Sequence, residues 1–392
     1  MQNRKLRRLL RHAYKNFPYH RERFRASGIT PRQMRSPQDL RALPPAGKEE
    51  LRRAIQDFPQ ISAASLWLST SGSSGIPMRF PSLPFESTRL NLSWLRPMLA
   101  HGVRPWHSRL EITGPHNIKK QDRWYQRLGF FNLHQLSVFA GEEQWLDGLN
   151  RHRPDVLWGY SRSLASFSRY LNGQGKLYHR PRWVFGVSEL VSVQDRETIR
   201  LAFGTELIDL YGAVETGCIA WQCSTCGDYH INVDSLLVEF LPIRDHAAAD
   251  EPAAIVVTNL HSFAFPIIRY AIGDLGLPSA GKPACGRSLP LMTVIAGRED
   301  DAVVLPSGRK LSPLFFFAVM KKIKGLDHWR VTQETGKGLS ISVVPCPGES
   351  FSKADAEAVI RACITEPLDI ILEIVQTIPP DPSGKQRSVI VR

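Results

Sequence analysis

The stretch "WVFGVSELVSVQDRETIRLAFGTELIDLYGAVETG", residues 183–217, contains two short apolar runs separated by a segment with helical character. Similar apolar runs, "SLWLST", "SRLEITG" and "VLWGY", precede it from about residue 65, and several end in Gly or Ser. Strands that alternate with helices predict an α/β architecture, in which functional sites gather where strands lead into loops. The later runs "SLLVEFL" and "AAIVVTNL" predict hairpin or meander strands, because proline and glycine lie close to them.

The chain of 392 residues is long enough for two or more domains. After "VIAGREDD" the pattern changes to short strands, the helical segment "SKADAEAVIRACI" and a closing "PPDPSGKQRSVIVR". We therefore expect a large domain over residues 1–298 and a small α+β domain over residues 299–392. At the other end, Leu6, Leu9 and Leu10 begin an apolar stripe at helical spacing, which predicts an amphipathic helix packed on the large domain.

The composition indicates a protein of the cytoplasm without a membrane span. The longest apolar runs fall well short of the roughly 20 residues that cross a bilayer, and the basic N-terminus lacks an apolar segment behind it. Six unevenly spaced cysteines do not indicate a disulfide framework. The net charge of +13 raises the question of nucleic-acid binding, but the basic residues are dispersed and accompany no nucleic-acid motif. An anionic small-molecule substrate accounts for this charge better.

The loop "STSGSSGIP", residues 69–77, is rich in hydroxyl groups and glycine. Glycine allows positive φ angles and close backbone approach, so such a loop can bind an anion such as phosphate. It lacks the lysine and the spacing of a Walker loop, and by itself it is a weak signal, since plain flexible turns often have this composition. Its meaning depends on the other motifs of the chain.

Four further motifs accompany the loop. In "DLYGAVETG" an apolar strand is followed by Tyr211, whose ring can stack on a purine, and by Glu215, whose oxygens suit magnesium. "RYAIGDLG" puts Asp274 in a turn, where its carboxylate can accept hydrogen bonds from ribose hydroxyls. "GREDD" puts Arg298 at the expected domain junction, and "PSGKQR" puts Lys385 in a glycine turn near the C-terminus.

In this order, the motifs resemble those of the adenylate-forming superfamily of acyl-CoA synthetases. The closest likeness is to the phenylacetate–CoA ligase branch and its CapK-like relatives, and it runs from end to end. The N-terminal segment "LLRHAYKNFPYHRERF", the loop "STSGSSGIP" and the central "VSELVSVQDRETIRLAFGTELIDLYGAVETG" all take part. The resemblance implies a large adenylation domain with mixed sheets and flanking helices, and a small mobile α+β domain.

The resemblance also implies a role for each matching residue. Tyr211 and Gly212 border adenine, Asp274 holds the ribose with Arg298 nearby, and Ser188 and Glu189 line the nucleotide pocket. Glu215 binds Mg²⁺, Asp300 is the hinge, and Lys385 enters the site in the first half-reaction. The residues implied to hold the β- and γ-phosphates are those of the glycine-rich loop: Thr70, Ser71, Gly72, Ser73, Ser74 and Gly75.

The reaction implied is the attack of a carboxylic acid on ATP to give an acyl-adenylate, followed by transfer to coenzyme A. Both reactants are anionic, so catalysis consists of alignment and charge neutralisation. Two departures bear on this expectation: Ile76 stands where many relatives have lysine, and "SGRKLSP" matches the strand after the hinge only loosely. An amine or a sugar hydroxyl in polysaccharide biosynthesis therefore remains open as acceptor, as does a non-catalytic nucleotide-binding role. The acid itself is unspecified, and so is the oligomeric state, a homodimer included.

The cysteines form a separate pattern. "CSTCGDYH" contains Cys223, Cys226 and His230, and "PACGR" adds Cys285. These four groups could close a tetrahedral zinc site, with Cys218 as a substitute for His230, or the cysteines could be free thiols. The aromatic stretch "RWYQRLGFFNLHQLSVF" could line the acyl pocket or pack in an ordinary core. Its residues of interest are Trp124, Tyr125, Phe130, Phe131, His134 and Phe139.

Overall fold

The computed structural model describes most of the chain. The ranges described are residues 2–58, 65–69, 78–118, 124–175, 177–189, 191–242, 252–279, 281–298, 302–311, 313–334, 338–346, 348–381, 385 and 387–391.

The described helices are α1 (Gln2–Asn16), α2 (Pro18–Ala26), α3 (Lys48–Gln56), α4 (Pro84–Ala100), α5 (Glu142–His152), α6 (Ser161–Gln174), α7 (Val193–Phe203), α8 (Pro313–Met320) and α9 (Lys353–Cys363). The strands up to the middle of the chain are β1 (Leu66–Ser69), β2 (Arg79–Ser82), β3 (Arg109–Thr113), β4 (Leu133–Ser137), β5 (Val156–Tyr160), β6 (Trp183–Val187), β7 (Leu207–Ala213), β8 (Gly217–Gln222), β9 (Tyr229–Ile231) and β10 (Leu236–Pro242). The later strands are β11 (Ala253–Asn259), β12 (Tyr270–Ser279), β13 (Leu291–Arg298), β14 (Val303–Val304), β15 (Lys310–Leu311), β16 (Leu326–Gln333), β17 (Leu339–Pro345), β18 (Ile370–Ile374) and β19 (Val389–Val391).

One large mixed sheet organises the first 298 residues. Among the described residues it has 11 strands in the order β10-β11-β12-β13-β9-β8-β7-β6-β5-β3-β4. The five strands from β4 to β7 are parallel, and α5, α6 and α7 form crossovers between successive strands. From β8 onward all neighbours are antiparallel. The carboxyl ends of β5, β6 and β7 therefore meet at one edge, beside the antiparallel half.

The two halves of the sheet have separate hydrophobic cores. β5 and β6 are buried throughout, as expected for parallel strands with helices on both faces, and their side chains pack with α5–α7. A second core joins β8–β13 to α3. Helix α1 buries Leu6, Leu9 and Leu10 against Leu237 and Ile268, so the predicted amphipathic helix is confirmed.

The C-terminal residues form a second, smaller sheet with its own core. The order is β18-β17-β16-β19, in which β16 and β17 are antiparallel and the outer pairs are parallel. α8 and α9 pack on it through Phe316 and Ile360. The domain boundary at residue 298 stays a prediction, because residues 299–301 lie outside the described residues.

The predicted α/β fold with a mixed sheet and flanking helices is confirmed, and the predicted meander is present as β10-β11-β12. Of the helices that the structure describes, none combines the length and the apolar character that a bilayer span requires.

Candidate active site

The first part of the site lies at the carboxyl ends of the parallel strands. β6 ends at Val187, and Ser188 follows with a φ of 71°, which turns the chain sharply out of the sheet. The neighbouring helix α6 begins directly after β5, and the Arg162 N–H in its first turn donates to Glu189 Oε2 at 3.1 Å. Ser188 and Glu189 therefore lie beside the N-terminal turn of α6, at the edge where this class of sheet binds ligands.

Tyr211 and Asp274 come together across the sheet although 63 positions separate them. Tyr211, near the end of β7, donates its hydroxyl hydrogen to Asp274 Oδ2 on β12 at 2.8 Å. Asp274 is in register with Arg298 on β13, so the backbones of these two residues are also adjacent. The ring and the carboxylate predicted to contact adenosine thus form one unit.

Glu215 lies in the turn between β7 and β8, with 6% of its surface exposed. Asn259 Nδ2 donates to its backbone carbonyl oxygen at 3.0 Å, which ties the turn to β11. Glu215 lines a small cavity of about 30 Å³ that is also lined by Leu68, Glu86 and Arg89. Leu68, on β1, is two residues before Thr70 in the sequence.

Glu86 is the second carboxylate of this cavity. Burial raises the pKa of Glu86, and hydrogen bonds from the backbone N–H groups of Leu83, Phe263 and Ala264 act in the opposite direction. These three N–H donors occupy Glu86, whose position on α4 is thereby fixed.

Gly212 is required by the close packing of β7 on β8. A Cβ at this position would meet the backbone oxygen of Gly217, Trp94 Cη2 at 2.7 Å and Cys218 Cα at 3.0 Å. Only glycine lets the strand carrying Tyr211 approach its neighbour this closely.

Lys385 is held in a turn of the C-terminal segment. Its backbone N–H donates to Asp381 Oδ1 at 3.1 Å, and its carbonyl oxygen accepts from the Asp381 N–H at 2.8 Å. Asp381 also forms an ion pair with Arg387 at 3.4 Å. Asp381 therefore closes the turn through both its backbone N–H and its carboxylate.

Comparison with known proteins finds similar sequences and folds. No family model matches the chain. It is 24% identical over 289 residues to the protein CapK of Staphylococcus aureus, covering 70% of this chain and 62% of CapK. It is 25% identical over 323 residues to the phenylacetate-coenzyme A ligase of Escherichia coli K12, covering 78% of this chain and 72% of that enzyme. The chain is a homologue of the phenylacetate–CoA ligases and CapK.

Solved structures confirm the fold of this branch. The whole chain superposes on 89% of a 2-hydroxyisobutyryl-CoA ligase crystallised in the postadenylation state with an acyl-AMP, with a TM-score of 0.78 and 18% identity. The same enzyme crystallised in the thioesterification state gives a TM-score of 0.64 at 17% identity. Both matches extend over the large and the small sheet, so the adenylate-forming fold predicted from the motifs is confirmed.

Several site residues predicted from this branch remain predictions. Thr70–Gly75 and Asp300 lie outside the described residues, and for Arg298 only the backbone is described. Of the others, the structure joins Tyr211 to Asp274 and brings Glu189 to the first turn of α6. The aromatic stretch is largely exposed: Trp124 is 73% exposed and Phe139 is 50% exposed, so its place in an acyl pocket stays a prediction.

The cysteine prediction has a compact counterpart in the structure. The ligand atoms of Cys223, His230 and Cys285 all lie within 4.8 Å of one another, and Cys285 Sγ is 3.2 Å from His230 Nε2. Burial raises the pKa of the Cys223 thiol, but hydrogen bonds from the Cys226 and Thr225 backbones and the Cys226 thiol outweigh it and lower the pKa to about 6. Cys226 thus contacts Cys223 but is not one of the three clustered ligands. Cys218 lies apart and donates to the Ala220 carbonyl oxygen at 3.5 Å.

The sequence interpretation missed the contacts between the two sheets. Arg162 on α6 reaches Ser388, and Arg169 on the same helix pairs with Asp327 on β16 at 3.4 Å. A signal for Arg162 existed, since "YSRSLAS" puts an arginine directly after a buried parallel strand. Its partner is 226 positions away, which no local pattern indicates.

Proposed function

We propose that this protein uses ATP to convert a carboxylic acid to an acyl-adenylate and then transfers the acyl group to coenzyme A. The observation that carries the proposal is the Tyr211–Asp274 pair beside the buried Glu215, at the carboxyl edge of the parallel strands. The phenylacetate–CoA ligases among its homologues, and the acyl-AMP and CoA named in the structures of the matched ligase, support it.

Adenosine is held by residues of β7 and β12 in this proposal. The Tyr211 ring gives adenine an aromatic face, and Gly212 lets the strand that carries Tyr211 pack closely on β8. The Tyr211 hydroxyl fixes one oxygen of Asp274, so the carboxylate is oriented to accept hydrogen bonds from the ribose hydroxyls. The glycine-rich loop, which follows the cavity-lining Leu68 in the sequence, takes the outer phosphates through its N–H and hydroxyl groups.

In the first half-reaction a carboxylate oxygen of the acid bonds to the α-phosphorus of ATP, and the bond to pyrophosphate breaks. Negative charge gathers on the oxygens around the α-phosphorus, so a cation at this point lowers the barrier. Lys385 supplies this charge from the Asp381-braced turn. Glu215, a buried carboxylate at the cavity, fits as a ligand of Mg²⁺, which when bound supplies further positive charge to the phosphates.

The arrangement of the two sheets is more similar to that of the matched ligase after adenylation than to its arrangement during thioester formation. The TM-score is 0.78 against the ligase in its postadenylation state and 0.64 against its thioesterification state.

In the second half-reaction the thiol of CoA attacks the acyl carbonyl, a thioester forms and AMP leaves. The relatives named CoA ligases favour CoA, whereas CapK leaves room for an amine or a sugar hydroxyl as acceptor. A nucleotide-binding protein without turnover is the third candidate.

A pyrophosphate-release assay across aryl, fatty and amino acids, with and without CoA, tests the proposal. We expect release that depends on the acid, and an acyl-CoA detectable by mass spectrometry. Lys385→Ala should lower the rate by at least about a hundredfold, as loss of an electrostatic group at a developing charge does. Lys353→Ala is the matched control, because Lys353 is an exposed lysine of α9 paired only loosely with Glu357 at 3.8 Å. Wild-type protein that releases no pyrophosphate with any acid would refute the ligase function.

We also propose that Cys223, His230 and Cys285 bind a structural Zn²⁺, with Cys226 as fourth ligand. Two thiols and an imidazole from three separate segments converge within 4.8 Å, and thiolate and imidazole are the ligand types that zinc prefers. The segments are the turn after β8, strand β9 and the segment before β13, so the metal would tie these three neighbouring strands together.

Metal analysis of the purified protein tests the zinc site. We expect about one equivalent of zinc, and loss of that zinc together with a lower melting temperature in Cys285→Ser. Cys363→Ser, at the end of α9, is the matched control and should keep the metal. Less than about a tenth of an equivalent in the wild type would show that these residues are free thiols.

A further inference from the structure

One buried arginine joins the two sheets close to Lys385. The Arg162 Nη2 donates to the Ser388 Oγ, and Ser388 follows Lys385 by three residues. Arg162 is 7% exposed and Ser388 is also 7% exposed, so water competes little for this hydrogen bond. It is therefore a strong contact between α6 and the C-terminal segment.

Arg162 lies next to Glu189, a residue predicted to line the nucleotide pocket. Its backbone N–H donates to Glu189, and the carboxylates of Glu189 and Asp195 compensate its buried charge. The large domain therefore holds the backbone of Arg162 through Glu189 and supplies the negative charge that its buried guanidinium needs. A buried guanidinium leaves a costly unmet donor when its partner withdraws, so the contact favours one position of that segment.

Lys385, Arg387 and Ser388 are each held by hydrogen bonds or an ion pair. Asp381 closes the Lys385 turn and pairs with Arg387, whose carbonyl oxygen accepts from Arg330 Nε at 3.1 Å. The Ser388 carbonyl oxygen accepts from the Val331 N–H on β16 at 2.7 Å. Since these hydrogen bonds leave the segment little freedom, fixing Ser388 also fixes the position of the Lys385 turn.

A second contact of α6 acts at the same interface. Arg169, two turns after Arg162, pairs with Asp195 at 2.9 Å and with Asp327 on β16 at 3.4 Å. Its Nη2 is also 3.4 Å from His328 Nε2. Helix α6 therefore contacts the small sheet at two points, through Ser388 just before β19 and through Asp327 near the start of β16.

We infer that Arg162 and Ser388 are positioning residues that hold the Lys385 turn against the large domain for the adenylation half-reaction. The inference rests on the proposed function and deepens it. Adenylation requires this contact, whereas thioester formation, for which the matched ligase adopts a different arrangement, does not. Arg162 and Ser388 touch no reacting atom in this account and act only through the placement of Lys385.

The two half-reactions of Ser388→Ala separate this role from a general loss of structure. We expect acid-dependent ATP–pyrophosphate exchange to fall about tenfold through its kcat, with the KM for ATP changed less than twofold. Thioester formation from supplied acyl-adenylate and CoA should stay within about twofold. Ser340→Ala, which changes a serine of β17 in the same sheet, should affect neither rate. Arg162→Lys, which keeps the buried charge, should resemble Ser388→Ala.

Equal losses in both half-reactions, or no loss of exchange in Ser388→Ala, would overturn the inference. If the wild type supports no exchange with any acid, the proposed function fails. The positioning role is then tested separately, by measuring the distance between the two domains. Fluorophores attached through unnatural amino acids at Leu201 and Ile371, both more than half exposed, would report the distance between the domains. We expect Ser388→Ala to populate a second distance about tenfold more than the wild type does. Identical distance distributions would refute the positioning role.

Discussion

Substituting Gly212 by alanine adds one methyl group at the point where the candidate nucleotide site is most tightly packed. The new Cβ would overlap the Gly217 carbonyl oxygen and lie 2.7 Å from Trp94 Cη2 and 3.0 Å from Cys218 Cα. Two of these three neighbours are backbone atoms of the paired strand β8, so no side-chain rotation relieves the overlap. β7 and β8 must separate instead.

Overpacking of this kind costs typically 1–3 kcal/mol, and the backbone contacts put Gly212→Ala near the upper value, at about 3 kcal/mol. Urea unfolding followed by fluorescence measures this loss as a lower midpoint at an unchanged slope. Because Tyr211 and Glu215 lie on either side of Gly212, the same shift should weaken ATP binding at least about tenfold, which isothermal titration measures.

Gly173→Ala is the matched control on the same domain. Gly173 lies within α6, and apart from its chain neighbours and the helix's own backbone no atom of the described residues lies within 4 Å of where its Cβ would be. Alanine is the better helix former there, so this substitution should stabilise the protein by up to about 1 kcal/mol and leave ATP binding unchanged. If Gly212→Ala is as stable as the wild type and binds ATP equally well, the close approach of β7 to β8 is wrong, and with it the geometry assigned to Tyr211.

Three further predictions concern other parts of the structure. Burial, with help from Arg23, lowers the pKa of His20 to about 3, against the opposing effect of its hydrogen bond to Pro266. Below pH 6.5 the unfolded chain therefore binds a proton that the folded protein does not, so the free energy of unfolding should fall by up to about 1.4 kcal/mol per pH unit towards pH 3. His20→Phe should reduce this slope in urea titrations. Tyr211→Phe removes the donor to Asp274 and should raise the KM for ATP about tenfold, with a smaller penalty for 2′-deoxy-ATP if Asp274 binds ribose; equal penalties would contradict that role. Asp381→Asn weakens the brace of the Lys385 turn and should slow pyrophosphate exchange more than thioester formation, whereas an unchanged exchange rate would show that the brace is dispensable.

The parallel half of the fold could be predicted from sequence because its pattern is local. β5 and β6 are continuous apolar runs that end in Gly, Tyr or Ser, and helical segments separate them. The order of the antiparallel strands was not readable in the same way. β9 pairs with β13 across about sixty residues, and no turn between them specifies that pairing.

The candidate site was predictable as a list of residues but not as a set of contacts. The position of Tyr211 and Asp274 after apolar strands indicated their roles, yet their hydrogen bond depends on how β7 and β12 fold into one sheet. The Arg162–Ser388 contact was missed for a similar reason, since it depends on the placement of the small sheet against α6. The CxxC spacing alone did not predict which cysteines cluster: Cys223 lies with His230 and Cys285, whereas Cys226 is not one of the three clustered ligands.

Isotope transfer from the acid to AMP tests the central claim most directly. If the acid attacks the α-phosphorus, one carboxylate oxygen becomes the bridge to phosphorus and stays on AMP when the acceptor takes the acyl group. A substrate acid labelled with ¹⁸O in its carboxylate should therefore give AMP carrying one ¹⁸O by mass spectrometry, with unlabelled pyrophosphate. Unlabelled AMP, or label recovered in inorganic phosphate together with ADP, would contradict formation of an acyl-adenylate.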